Sequence, residues 1–143
     1  MTDDRRRPPR LVFLTTAAER QMRRWISGRG ADRGISAAAG GALLYLASHP
    51  GATIGEVTTA LQASAAGASG LLARMEHAGL VRRRTDPDDR RTVRLDLTPA
   101  GTDALNDVRA ALAELNARLT EGFSPDELAT VARWLDHATR TLR

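Results

Sequence analysis

The 143-residue sequence predicts a mainly α-helical chain that carries one small β-hairpin. Three observations predict it. Apolar residues recur at spacings of three and four over most of the chain; helix-start signals stand at residues 53–56, 98–99 and 124–127; and one stretch, 92–97, alternates with period two instead. The length suits one domain with a modest core.

Residues 1–9 are polar and end on Pro8 and Pro9, which predicts a disordered basic arm ahead of a single domain over 10–143. Leu11, Leu14, Ala18, Met22 and Trp25 share one helix face, and Gly28 and Gly30 are expected to end that helix. After a short linker, Ser36 is placed to cap a small-residue helix through Leu43, Leu44 and Leu46, stopped by His49-Pro50-Gly51. Thr53 and Glu56 form a capping box for a short helix to about Leu61. Ser64 opens the next helix, with Leu71, Leu72 and Met75 inward and Gly79 as its left-handed stop. Two strands follow, Leu80–Thr85 and Thr92–Leu97, around the polar tip 86–91. Thr98-Pro99 then starts a helix whose Leu105, Val108, Leu112, Leu115 and Leu119 step by 3, 4, 3 and 4. A last helix begins at Ser124, with Pro125 at its first position, Glu127 closing a capping box, and Phe123 and Leu128 spaced for a hydrophobic staple. Its Leu128, Val131, Leu135, Ala138 and Leu142 repeat the same steps.

Composition removes several chemistries. There is no cysteine, so disulfides, thiolate metal sites and cysteine nucleophiles are excluded. His49, His77 and His137 stand far apart without ligand spacing, and neither a nucleophile elbow nor a Gly-rich phosphate loop is present; no metal, no cofactor and no enzymatic activity are expected. The N-terminus has no apolar segment behind its basic residues, and the charge-free stretch Gly34–Gly55 is rich in Ala and Gly and contains Pro50, so neither a secretory signal nor a membrane span is predicted and a cytoplasmic protein is expected. All 21 basic side chains are arginine, and the excess lies toward the N-terminus: residues 1–52, 53–98 and 99–143 carry +5, +1 and −2.

Helix, helix-turn-helix, hairpin with a charged tip, then long helices is the order of a winged helix-turn-helix flanked by helical segments. That arrangement suits duplex DNA: a helix fits the major groove, and an arginine-bearing hairpin tip fits the narrower, more negative minor groove beside it. Arg82, Arg83, Arg84, Arg90, Arg91 and Arg94 place six cations in thirteen residues, although three acids in the same loop also permit a merely solvated hairpin.

Here the sequence resembles the MarR family of bacterial transcription regulators, through the string LVRRRTDPDDRRTVRLDLTPAG from Leu80 to Gly101 and the helix-turn-helix spacing of Thr53, Glu56, Leu61, Leu72, Met75 and Gly79. The resemblance implies a winged helix-turn-helix over about 36–98 and dimerisation helices over about 10–28 and 99–142. It further implies a homodimer on a near-palindromic double-stranded site, acting as a repressor released by a small aromatic or lipophilic effector. Arg91 matches the family's minor-groove arginine, Asp89 its orienting partner, although plain turn chemistry also accounts for an aspartate there, and Arg83 the arginine after glycine-leucine-valine, able to brace the hairpin or contact phosphate. With Ser64, Ala65, Ser69, Arg74, Arg84, Arg90 and Arg94 these form the expected DNA-binding set. Leu11, Leu14, Leu112, Leu115, Leu119, Leu128, Val131, Leu135 and Leu142 are expected at the dimer interface. Met22, Trp25 and Tyr45 are candidates for an effector pocket, with ordinary core the simpler reading.

The recognition-helix segment departs from the family pattern. Ala65, Ala66, Gly67, Ser69 and Gly70 occupy its outward positions, and no Arg, Asn or Gln lies between Ala63 and Ala73 to read a base edge with two hydrogen bonds. Specificity is expected to rest more on the wing and on DNA shape. The same feature motivates the alternative, a winged-helix protein-interaction module with little DNA recognition.

Overall fold

A computed structural model describes residues 10–30 and 35–143; the expected arm over residues 1–9, and the linker as far as residue 34, lie outside them. The elements are α1 (Leu11–Gly30), α2 (Ala37–Ser48), β1 (Ala52–Thr53), α3 (Ile54–Ala60), α4 (Ala65–His77), β2 (Val81–Thr85), β3 (Val93–Leu97), α5 (Pro99–Thr120) and α6 (Pro125–Thr141). Two compact units divide the chain, one ending at Ala111 and one spanning Leu112–Arg143.

The first unit holds most of the core. Small residues on α2 let its neighbours approach: Ala39, Gly40 and Ala42 are buried with Leu43 and Leu46, and a Cβ on Gly40 would stand 3.4 Å from Val108 of α5. Around α2 lie buried Val57 of α3, Ala68, Leu71, Leu72 and Met75 of α4, Val81 and Leu95 of the sheet, and Ala104, Leu105 and Val108 of α5. Caps define the helix starts. The hydroxyls of Ser36, Thr53 and Ser64 accept from the amides of Ala39, Glu56 and Gly67, and Glu56 closes its capping box on the Thr53 amide. Thr98 Oγ1 likewise accepts from Gly101 N at the head of α5.

The sheet has three strands rather than the expected two, in the antiparallel order β1-β3-β2. β1 pairs Ala52 with Leu95 and Thr53 with Arg94, so β3 is central. A two-residue strand has no periodicity for a sequence to display. A second difference is that α1 continues through Gly28 to Gly30. Glycine inside a helix costs about 1 kcal/mol relative to alanine, while Arg29 at the negative helix end, with its guanidinium 5.1 Å from the Trp25 ring centre, supports the last turn. The α3–α4 turn holds a third feature without a sequence signal: Gln62 adopts φ 51, the left-handed region.

In the second unit Leu115 is buried, Leu112 and Leu128 are half-buried, and α6 contains no buried residue. Ser124 and Glu127 form the expected capping box at its start.

Candidate nucleic-acid interface

The helix-turn-helix presents α4 with Ala65, Ala66, Gly67, Ser69, Ala73 and Arg74 exposed and Gly70 half-buried. The Ser64 hydroxyl oxygen accepts from the Gly67 amide. A Cβ on Gly67 would lie 2.9 Å from that oxygen, and one on Gly70 would lie 3.4 Å from Arg74 Nη1. Gly67 therefore leaves room for the cap, and Arg74 folds back one turn over Gly70. Arg74 has no ion pair among the described residues.

The six wing arginines divide into two groups. Arg83 Nε donates to Glu76 Oε2 at 2.6 Å, tying β2 to α4. Arg84 Nε donates to Asp96 Oδ2 across the β2–β3 ladder at 2.5 Å. Arg94 donates from Nε to Asp86 Oδ2 and from Nη1 to the Gly51 carbonyl at 2.9 Å. Arg82, Arg90 and Arg91 are exposed and have no ion pair among the described residues. Of the two roles open to Arg83, this contact with Glu76 is a brace on the hairpin.

Of the loop's own carboxylates Asp86 is turned inward, while Asp88 and Asp89 are exposed. Asp86 is the single buried charged residue among the described residues, and its Oδ1 accepts from Asp88 N at 2.8 Å. That amide first, and the Arg94 side chain second, hold its carboxyl below the usual aspartate range, while Asp86 pushes the Arg94 guanidinium further up. Asp89 performs the turn chemistry and not the orienting pair that the family resemblance implies. Its carboxylate accepts from the Arg91 backbone N–H at 3.0 Å and the Thr92 hydroxyl at 2.9 Å, and no pairing with the Arg91 guanidinium is present. One backbone amide and one neighbouring hydroxyl lie within reach after an Asx turn, whereas the guanidinium is exposed to water. Asp89 thus shapes the tip and leaves the Arg91 charge uncompensated.

The other expected site residues are placed as follows. Leu11, Leu14, Leu119, Val131, Leu135 and Leu142 are exposed, whereas Leu115 is already covered within the single chain. Met22, Trp25 and Tyr45 are half-buried. Tyr45 stacks on His49 with ring centres 4.1 Å apart and lines an open groove of about 520 Å³ whose other walls are Thr53, Gly55, Glu56, Thr59 and Ala60; Met22 and Trp25 are not among them. Among the described residues no three His, Asp or Glu side chains cluster to hold a metal, and no helix is long and apolar enough to cross a membrane.

Comparison with known proteins places this geometry. A model described as "MarR family" matches residues 33–92. The HTH-type transcriptional regulator YsmB of Bacillus subtilis (strain 168) is 34% identical over 77 residues, 54% of this chain, and the match spans about half (53%) of YsmB's length. Among solved structures, the S. aureus MepR–DNA complex superposes with a TM-score of 0.83 at 22% identity, covering 92% of this chain and 96% of MepR. A mutant of E. coli MarR complexed with operator DNA gives 0.81 at 23% identity, covering 90% and 92%. Those two share the fold. The crystal structure of MarR family transcription regulator SP03579 gives a TM-score of 0.85 at 30% identity, covering 92% of this chain and 87% of that one. With identity at that level sustained over nearly all of both chains, this chain belongs to the MarR family of winged helix-turn-helix transcription regulators.

Proposed function

We propose that the chain is a cytoplasmic, homodimeric regulator that binds double-stranded DNA at a near-palindromic site, represses from it, and is released by a small aromatic or lipophilic effector. The observation that carries the DNA reading is the sorting of charge in the wing. Asp86 and Asp89 are engaged with Arg94, a side-chain hydroxyl and backbone amides, so Arg90 and Arg91 keep their charge at the exposed tip. Such a tip suits a narrow minor groove, and the exposed face of α4, lined by Ala65, Ala66 and Ser69, suits close approach in the major groove. MepR and MarR, seen with DNA, share this fold, which supports the same use of these surfaces here. The exposed Leu11, Leu14, Val131, Leu135 and Leu142 support pairing of two chains.

Arg91→Ala tests the reading on a fragment recovered by genomic DNA pull-down with the purified protein. Affinity should fall for every sequence, and the slope of log K against log salt should lose up to about 2 for a dimer, one per missing cation. Unchanged affinity and slope would remove the wing as a DNA-reading element. The bare face of α4 favours one second reading, a protein-interaction module; recovery of no DNA above background would move it ahead.

A further inference from the structure

We propose that Asp86 and Arg94 are positioning residues, a brace that fixes the wing loop to the corner between α2 and β1 so that Arg90 and Arg91 are presented in one arrangement. Arg94 then holds the wing and does not itself meet phosphate. The inference rests on the DNA-binding reading above for its consequence, though not for its geometry.

Topology makes the brace possible. Arg94 lies on the central strand, opposite Thr53 of β1 and Arg84 of β2. From there one guanidinium reaches both sides of the sheet: Nε meets Asp86, the residue directly after β2, and Nη1 meets the carbonyl of Gly51, directly before β1 and 43 residues away in sequence. A planar fork with separate donors serves these two acceptors in one fixed geometry, which an ammonium on a flexible stem does not impose. The Gly51 corner is shaped to receive it. Gly51 has φ +75, its amide donates to Leu95 O at 3.1 Å, and a Cβ there would stand 2.7 Å from Arg84 Nη2 and 3.8 Å from Arg94 Cδ. On the loop side, Asp86 passes the restraint on. Its Oδ1 holds the Asp88 amide, its own amide donates to Thr92 O at 2.9 Å, and Thr92 returns to the Asp89 carbonyl at 2.9 Å, next to Arg91. A buried carboxylate without its partner is strongly unfavourable, so removing Arg94 undoes the loop from inside. A loop already ordered binds without the loss of apparent affinity that a fractionally ordered one carries.

Arg94→Lys and Arg94→Ala, compared with Arg91→Ala, test the brace in the full chain. In free protein, amide hydrogen exchange at Asp88, Arg91 and Thr92 should accelerate about tenfold in Arg94→Lys, although the cation is retained. On the recovered DNA fragment Arg94→Lys should lose about tenfold in affinity, and Arg94→Ala should weaken binding while keeping the wild-type salt slope, in contrast to Arg91→Ala. Asp86→Asn, which preserves shape and the acceptor for Asp88, should act in the same direction, and combining it with Arg94→Lys should add little, as for two halves of one contact. Wild-type affinity in Arg94→Lys, or a salt slope reduced in Arg94→Ala as much as in Arg91→Ala, would make Arg94 a phosphate contact and overturn the proposal. Unchanged exchange in Arg94→Lys would overturn it as well. Should the wild-type chain retain no DNA, the DNA reading fails alone, and the exchange comparison still decides the brace.

Discussion

At the scale of single residues, charge and backbone conformation set the outcomes. The carboxyl of Asp86 is held below the ordinary aspartate value of 3.8 by the Asp88 amide and then by Arg94, so its ionised form favours the folded loop. That contribution is complete above the unfolded value and is lost as pH falls below 3.8 and through the depressed folded value. The difference in melting temperature between wild type and Asp86→Asn should therefore be flat from neutral pH to about pH 5 and should shrink in stronger acid; a difference that persists undiminished well below that range contradicts the assignment. Gln62 offers a second measurement. A side chain at φ 51 costs about 1–2 kcal/mol, and glycine there regains this minus about 0.5–1 kcal/mol of extra unfolded-chain entropy. Gln62→Gly should stabilise the chain by about 0.5–1 kcal/mol in urea denaturation, and destabilisation would mean that the Gln62 side chain has a role the turn geometry does not convey. Neither feature was visible in sequence. Six arginines across the hairpin and its tip can be counted there, but which are bound depends on Glu76, Asp96 and Gly51 being brought beside them by the fold.

Whole elements were more legible, because their signals are local. The caps at Ser36, Thr53, Ser64, Thr98 and Ser124 act within three residues of themselves, and each helix starts where its cap stands. β1 was not legible, since two residues pairing with a strand more than forty positions away leave no pattern behind. Gly101 lies between these cases: it closes the string through which the sequence resembles the MarR family, and the structure supplies a reason for glycine there. A Cβ on Gly101 would stand 2.0 Å from the carbonyl oxygen of Leu80, which at that place accepts from the Thr98 amide at 3.1 Å. Thr98 Oγ1 also donates to Gly79 O, so the start of α5 is stitched to the α4–β2 connection by contacts that admit no side chain. Gly101→Ala should cost at least about 2 kcal/mol and loosen both strands of the wing together, as in other overpacked sites. Chemical denaturation with wing amides as a second probe checks this; an unaltered midpoint would mean that the two segments can separate at little cost.

On the scale of the whole molecule, the notable quantity is apolar surface that one chain leaves uncovered. Val12, Phe13 and Leu14 at the start of α1 are 81%, 64% and 54% exposed, and Leu142 at the end of α6 is 86% exposed. Under the proposed pairing, such surface is covered only by a second chain, which makes stability depend on protein concentration. Thermal midpoints should rise across a hundredfold increase in concentration, and Leu135→Asp should abolish that dependence and shift the sedimenting species toward a 15.4 kDa monomer; a concentration-independent midpoint for wild type would contradict the pairing. A helix without a buried residue of its own, as α6 is, has a further consequence in heredity. Under the proposed pairing through α6, a wing-defective allele whose α6 is intact would still assemble with normal subunits, so in a cell expressing both alleles equally roughly three of every four pairs would carry a damaged wing, and the defect would be inherited as dominant. An allele that damages α6 would instead withdraw its product from the proposed assembly and be inherited as recessive.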